Sequence, residues 1–194
     1  MSTINTRYLG LDLSSPIIVG SSNFTSKVES IVEAEAAGAG AVVLKSLFEE
    51  QIVSQAHSMS SRESYPEADD YLQYYTRTNS VDAYLDLIAG ARKKVKIPVI
   101  ASINCFSPKG WIDFALEIER AGASALEVNI FFIPTDKHEN STDSEKVYFR
   151  IIDNLKKKLK IPVSVKIGQK FSNILNFVWQ MYNHGAAGVT MFNR

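Results

Sequence analysis

The chain repeats itself. "VKIPVIASI" at 95–103 and "LKIPVSVKI" at 159–167 are near copies set 64 residues apart. A second series, "AGAGAVVLKS" (37–46), "AGASALEVNI" (121–130) and "HGAAGVTMFN" (184–193), puts a small-residue turn directly before a short apolar run rich in Val, Ile or Leu. Such self-similarity means that one supersecondary unit recurs along the chain. In each turn a glycine (Gly38, Gly122, Gly185) stands where a helix C-terminus takes a left-handed residue without a Cβ.

The repeat predicts six strands, at about 16–21, 41–46, 98–103, 125–130, 162–168 and 188–193. Amphipathic stretches lie between them. Thr25 or Ser26 can cap a helix whose Val28, Ile31 and Val32 share a face, and Ser80 precedes Val81, Tyr84, Leu85 and Ile88. Ser107-Pro108 gives a cap followed by proline at the first helical position, then Trp111, Phe114 and Ile118. Two further helices carry Ile151, Ile152, Leu155 and Leu159, and Ile174, Leu175, Val178 and Met181.

The strands are mostly continuous apolar runs, so both of their faces are expected to be buried. Buried strands alternating with helices predict a parallel α/β sheet. No strand leads into a G-x-G-x-x-G turn, which argues against a dinucleotide-type sheet. Nearly every strand ends in a small or polar residue: Ser21 and Ser22, Lys45 and Ser46, Asn104, Asn129, Lys166, Asn193. Enzymes built on (β/α)8 TIM barrels place their chemistry at those ends. The expectation is one barrel domain over 1–194, incomplete at about six β/α units, with strands seven and eight missing.

Composition narrows the function classes. Lys+Arg and Asp+Glu are both 21, which leaves no global charge footprint for nucleic acid or an anionic membrane. No apolar run reaches the roughly 18 residues that span a bilayer. The first residues, "MSTINTRYLG", carry no apolar signal core, and the single Cys105 fits a reducing cytoplasm. His57, His138 and His184 lack ligand spacing, so no metal site is expected. A polar insert at about 47–80, with four of the eight tyrosines, lies on the expected active-site face and is long enough to act as a lid.

Lys45 and Lys166 end apolar strands, where a cation is costly to bury without a polar partner and suits the edge of a cofactor ring. A snorkelling surface lysine is the plain alternative. Asn104, Asn129 and Asn193 offer both donors and acceptors to a heterocycle, or close an Asx turn. Gly20 and Ser21 allow a planar ring to approach the backbone.

In order and spacing, "SPIIVGSSNFT", "GAGAVVLKS", "IPVIASIN", "AGASALEVNI", "PVSVKI" and "GVTMFN" resemble the dihydroorotate dehydrogenase family of FMN-dependent barrels. The resemblance implies FMN held by Gly20, Ser21, Lys45, Ser46, Asn104, Asn129 and Lys166. It implies a dihydroorotate-like substrate held by Lys45, Asn129 and Asn193, and a homodimer at full length. The family's usual base follows the strand-four asparagine; here Phe131 and Phe132 stand in that segment, and Phe132 occupies the base position. A non-catalytic barrel, or a flavin-free lyase using Lys45 or Lys166 as a Schiff-base amine, are the competing expectations.

Overall fold

The computed structural model describes residues 4–50, 66–105, 108–131 and 136–192. An antiparallel hairpin, β1 (Thr6–Tyr8) and β2 (Leu11–Leu13), opens the chain. The parallel sheet follows, from β3 (Ile18–Val19), β4 (Ala41–Val43), β6 (Val99–Asn104), β7 (Ala125–Asn129) and β8 (Val163–Ile167) to β9 (Gly188–Met191). They lie side by side in chain order, and the short β5 (Leu47–Phe48) adds to β6 beyond the end of β4. Six consecutive parallel strands in sequence order make an open arc of a TIM-barrel-like α/β fold, as the repeat predicts.

Helices α1 (Val28–Ala36), α2 (Pro66–Lys94), α3 (Pro108–Arg120), α4 (Ser141–Lys158) and α5 (Ile174–Asn183) cover the outer face. Their apolar stripes meet the outward row of each strand. Ile88, Phe114, Ile118, Ile152, Leu155 and Phe177 bury against Leu44, Val99, Ile103, Leu126, Val128, Val165 and Ile167 in one core. The inner row forms a smaller cluster of Ala41, Val43, Ile100 and Ala125, closed below by Leu9 and Leu13 of the hairpin. The hairpin turn takes positive φ at both Leu9 and Gly10, the two-residue geometry that matches strand twist. It drives Leu9 into the barrel floor. A Cβ added at Gly188 would stand 2.6 Å from Leu9 Cδ2, so β9 needs glycine where it passes this plug.

The near-copy "KIP" turns have a common cause. Glu35 Oε1 accepts the backbone N–H groups of Lys96 and Ile97 at 2.7 and 3.0 Å. One unit later, Glu119 Oε1 accepts those of Lys160 and Ile161 at 2.6 and 2.9 Å. Each glutamate lies three residues before its helix-ending glycine, and those glycines, Gly38 and Gly122, have φ near +95° as expected, as does Gly185.

Several expectations are corrected. The second long helix begins at Pro66, not after Ser80, so the expected insert over 47–80 is helical from residue 66 onward. Its residues 51–65 lie outside the described residues. Thr25 and Ser26 do not cap α1; they sit in a short 3-10 turn, and Lys27 occupies the cap position without a side-chain bond. Thr25 instead closes a turn with Ser22. Val32 and Leu175 share the predicted helical faces yet are 38% and 81% exposed. Both face outward at the flanks of the arc, where among the described residues β3 pairs only with β4 and β9 only with β8.

Candidate active site

Strand pleating decides what faces the barrel axis, because successive side chains point to opposite faces. The register aligns Ser102 with Glu127, Glu127 with Ser164, Asn129 with Lys166, and Lys166 with Thr190. Two polar layers therefore rise above the apolar floor of Ile100 and Ala125. The lower holds Ser102, Glu127 and Ser164. The upper, at the strand mouths, holds Asn104, Asn129, Lys166 and Thr190.

These layers are wired together. Ser21 Oγ lies 3.1 Å from Ser46 Oγ and accepts the Ser46 backbone N–H at 3.0 Å. Ser46 Oγ lies 2.7 Å from Ser102 Oγ. Ser102 in turn bonds the Glu127 carboxylate, which also accepts Thr190 Oγ1 at 2.8 Å. Tyr8 of the floor hairpin reaches the same threonine, its hydroxyl 3.4 Å away.

Glu127 is only 3% exposed. Burial raises its carboxyl above the ordinary value, while bonding by Thr190, the positive charge of Lys166 and bonding by Ser102 act in the opposite sense. Desolvation outweighs these three neighbours, so the carboxyl holds its proton to higher pH than a carboxyl in water. The Ser164 hydroxyl, buried beside Glu127 in register, has no hydrogen-bond partner among the described residues.

Behind Ser102 the sheet is interrupted, because β4 ends at Val43 and β5 starts at Leu47. Tyr84 of α2 fills the gap. Its hydroxyl accepts the Ser102 N–H at 2.8 Å and donates to the Ser102 carbonyl at 3.0 Å, replacing the missing ladder partner. Burial, more than any other cause, pushes this phenol well above its ordinary value.

The expected site residues fall into three groups. Ser21, Ser46, Asn104, Asn129 and Lys166 gather around the mouth of the arc, with Asn129 buried and Ser21, Asn104 and Lys166 half-buried. Gly20 is exposed at the same rim, with open space where a Cβ would stand. Lys45 is also at the rim but exposed, so the cost of burying a lysine does not apply to it. Asn193 and Phe132 lie outside the described residues. Phe131 stands just past β7 and is 58% exposed.

Glu127, Ser102, Thr190 and Tyr84 were not among the expected residues. A signal for Glu127 and Ser102 existed. Polar residues recur at spacing two inside otherwise apolar strands: Ser102 and Asn104, Glu127 and Asn129, Ser164 and Lys166. That period places them on one face. Tyr84 reads only as one more apolar position of a helix.

A row of buried polar side chains opens at the C-terminal ends of the parallel strands, the end at which barrel enzymes carry their sites. Over 184 residues, 90% of its length, the chain is 26% identical to the catalytic subunit of dihydroorotate dehydrogenase B (NAD(+)) of Thermoplasma volcanium, and spans 57% of that relative. Over 109 residues, 55% of the chain and 35% of the relative, it is 29% identical to a provisionally named dihydroorotate dehydrogenase A (fumarate) of Aeropyrum pernix. The expected likeness to dihydroorotate dehydrogenases therefore holds in sequence. No family model matches the chain. Among solved structures, an IMP dehydrogenase/GMP reductase-like protein of Corynebacterium glutamicum superposes with a TM-score of 0.56 at 16% identity, covering 96% of this chain and 47% of that one. This last likeness is one of fold alone.

Among the described residues, no cluster of three or more His, Cys, Asp or Glu is placed to hold a metal, and no helix is long and apolar enough to cross a membrane.

Proposed function

We propose that the chain forms the strand-one-to-six part of an FMN-dependent oxidoreductase of the dihydroorotate dehydrogenase type, acting on dihydroorotate or a related dihydro-heterocycle. The observation that carries this is the mouth layer of Ser21, Ser46, Asn104, Asn129 and Lys166 above a buried carboxylate, in a chain whose curated relatives bear that name. The donor set suits a flavin. Gly20 leaves a rim that a planar ring can approach, the amides and hydroxyls can pair with the polar edge of the ring, and Lys166 brings positive charge.

The chemistry FMN would supply is acceptance of a hydride from one carbon of a CH–CH unit, the neighbouring carbon losing a proton. The residues of this chain bind and orient. Lys166, half-buried at the mouth, would stabilise negative charge where it develops, with little reorganisation because its strand is fixed on both sides. Asn129, buried and level with Lys166, can hold a ring edge. Phe131 offers an apolar cover against water at the rim. No proton acceptor is assigned, since phenylalanine stands at 132.

That phenylalanine is the observation favouring a second reading, a barrel of the same lineage that binds without turning over dihydroorotate. A small-molecule ligand, homodimeric assembly and a cytoplasmic setting belong to both readings.

One experiment tests the proposal. Purified protein is titrated with FMN, followed by quenching of flavin fluorescence, and then mixed anaerobically with dihydroorotate. Saturable binding and bleaching of the flavin absorbance are expected. Binding without bleaching transfers the case to the second reading. A protein that ignores FMN but is trapped on Lys45 or Lys166 by borohydride and a carbonyl compound overturns both.

A further inference from the structure

Among the described residues, the Ser164 hydroxyl is the only buried side-chain oxygen or nitrogen without a hydrogen-bond partner. The residue is 1% exposed. An unpaired hydroxyl so deep in a fold is costly, and native proteins satisfy nearly all such groups.

The surroundings of Ser164 are polar on two sides. Val163, Val165 and Ile167 pack with the helices, so the alternation of β8 turns Ser164 toward the barrel axis. In register it lies between Glu127 on β7 and Gly188 on β9. The Glu127 side chain crosses in front of β8 to take its 2.8 Å bond from Thr190 Oγ1 on β9. Its carboxyl group thus passes the Ser164 hydroxyl while bonding elsewhere. On the other flank Gly188 contributes no side chain. The place where its Cβ would stand is 3.5 Å from the Tyr8 hydroxyl oxygen and 2.6 Å from Leu9 Cδ2. Ser164 Oγ is therefore set between a carboxyl group and a phenol, above an apolar floor, bonded to neither. Residues in register on neighbouring strands are about 4.8 Å apart. Oxygens at about that spacing are too far apart for a direct bond of about 2.8 Å, and suit two bonds through one shared water.

We propose that the floor layer binds one buried water, held by Ser164 Oγ, the Glu127 carboxyl group and the Tyr8 hydroxyl. Three polar partners are the usual complement of such a water. Water both donates and accepts, so it serves this site whichever way Glu127 is protonated. A divalent cation is a poorer occupant, because Glu127 is the one acid among these three partners and hydroxyls supply the rest. The bound water joins the floor hairpin to β7 and β8 and so anchors the plug beneath the mouth. It is independent of the reading proposed for the mouth.

Urea unfolding of the ligand-free protein at pH 7 tests this. Where the hydroxyl holds a water, Ser164→Ala removes a bond and should lower the folding equilibrium constant about three- to tenfold. A dry, unpaired hydroxyl predicts the opposite sign, so a Ser164→Ala protein as stable as wild type, or more stable, overturns the site. Ser164 and Tyr8 share no hydrogen bond, and only a common water couples them. In a cycle with Tyr8→Phe, the double variant should lose at least about threefold less than the product of the two single losses; simple additivity overturns the bridge. Should a variant fail to fold, a high-resolution crystal structure of wild type decides the matter. A water peak within about 3.2 Å of Ser164 Oγ and of Glu127 or Tyr8 is expected. An empty site, a direct bond between Ser164 and Glu127, or a peak with the short contacts of a metal cation each overturns the inference.

Discussion

Thr190 on β9 donates a 2.8 Å hydrogen bond to Glu127 on β7, reaching past the whole of β8. Two strands that share no backbone ladder are thereby tied through the barrel interior. Thr190→Val keeps shape and removes the donor, and should cost about 1–3 kcal/mol in urea unfolding at neutral pH. The pH dependence carries the sharper signature. Burial raises the folded Glu127 carboxyl above its ordinary 4.5. The native state then holds this proton to higher pH than the unfolded chain. That contribution is present below pH 4.5 and is lost as pH rises through the folded value. Glu127→Gln should flatten this part of the stability–pH curve, and Thr190→Val should steepen it.

Tyr84 predicts a change at the alkaline end. Its buried phenol both accepts from and donates to the Ser102 backbone, so Tyr84→Phe should leave two peptide groups unpaired at a cost of about 2–4 kcal/mol. Its raised ionisation, and that of Tyr148, pushed up to about 12 by burial, mean that the folded state keeps protons which the unfolded chain releases above pH 10. Wild-type stability should fall steeply above pH 10, and Tyr84→Phe should fall less steeply. Thermal melts from pH 8 to 11 measure both slopes.

The arc was largely legible in the sequence because its signals are local. A glycine with a positive φ ends a helix whatever surrounds it, and the strands after Gly38, Gly122 and Gly185 begin where the apolar runs do. The start of α2 was not legible. "PEADDYLQYYTRTN" has no apolar stripe strong enough to show a helix, and Ser80 resembles a cap while lying inside one. At the site, strand-end positions such as Asn129 and Lys166 could be found one at a time. Glu127 could not be given a meaning without the register, which alone brings Ser102, Thr190 and Lys166 around it.

The glutamates three residues before Gly38 and Gly122 predict a repeated stability effect. Glu119→Ala removes one carboxylate that serves two N–H groups, and should cost about 1–2 kcal/mol. Glu119→Gln retains an acceptor oxygen and should recover most of the loss. Glu35 should repeat both results at Lys96 and Ile97. Urea midpoints for the four variants check the equivalence; a loss confined to one unit would break it.

Two glycines should respond unequally to the same methyl group. At Gly40 an added Cβ would collide with the backbone of Ser15, including its carbonyl oxygen, and neither segment can swing away without disturbing the Gly40 N–H bond to Ile17. Gly40→Ala should cost upwards of about 3 kcal/mol or prevent folding. At Gly188 the obstacle is the tip of Leu9, a flexible side chain. Gly188→Ala should cost about 1 kcal/mol, and Leu9→Val beside it should relieve part of that cost in a double-mutant cycle.

The two rim lysines should separate in flavin binding. Lys45 is exposed, so its charge is screened by water and is held only loosely over the mouth. Lys166 is half-buried, stands between Asn129 and Thr190 in register, and has Glu127 below it. An equal charge there acts in a less polar setting from a fixed position. Lys166→Met should therefore weaken FMN binding about ten- to a hundredfold, and Lys45→Met only about threefold, by fluorescence titration at low salt. Raising the salt to about 0.5 M should erase the Lys45 effect and spare most of the Lys166 effect, since screening reaches exposed charges first. The reverse order of the two lysines would place the ring edge on the β4 side of the mouth and detach Lys166 from the binding role assigned to it.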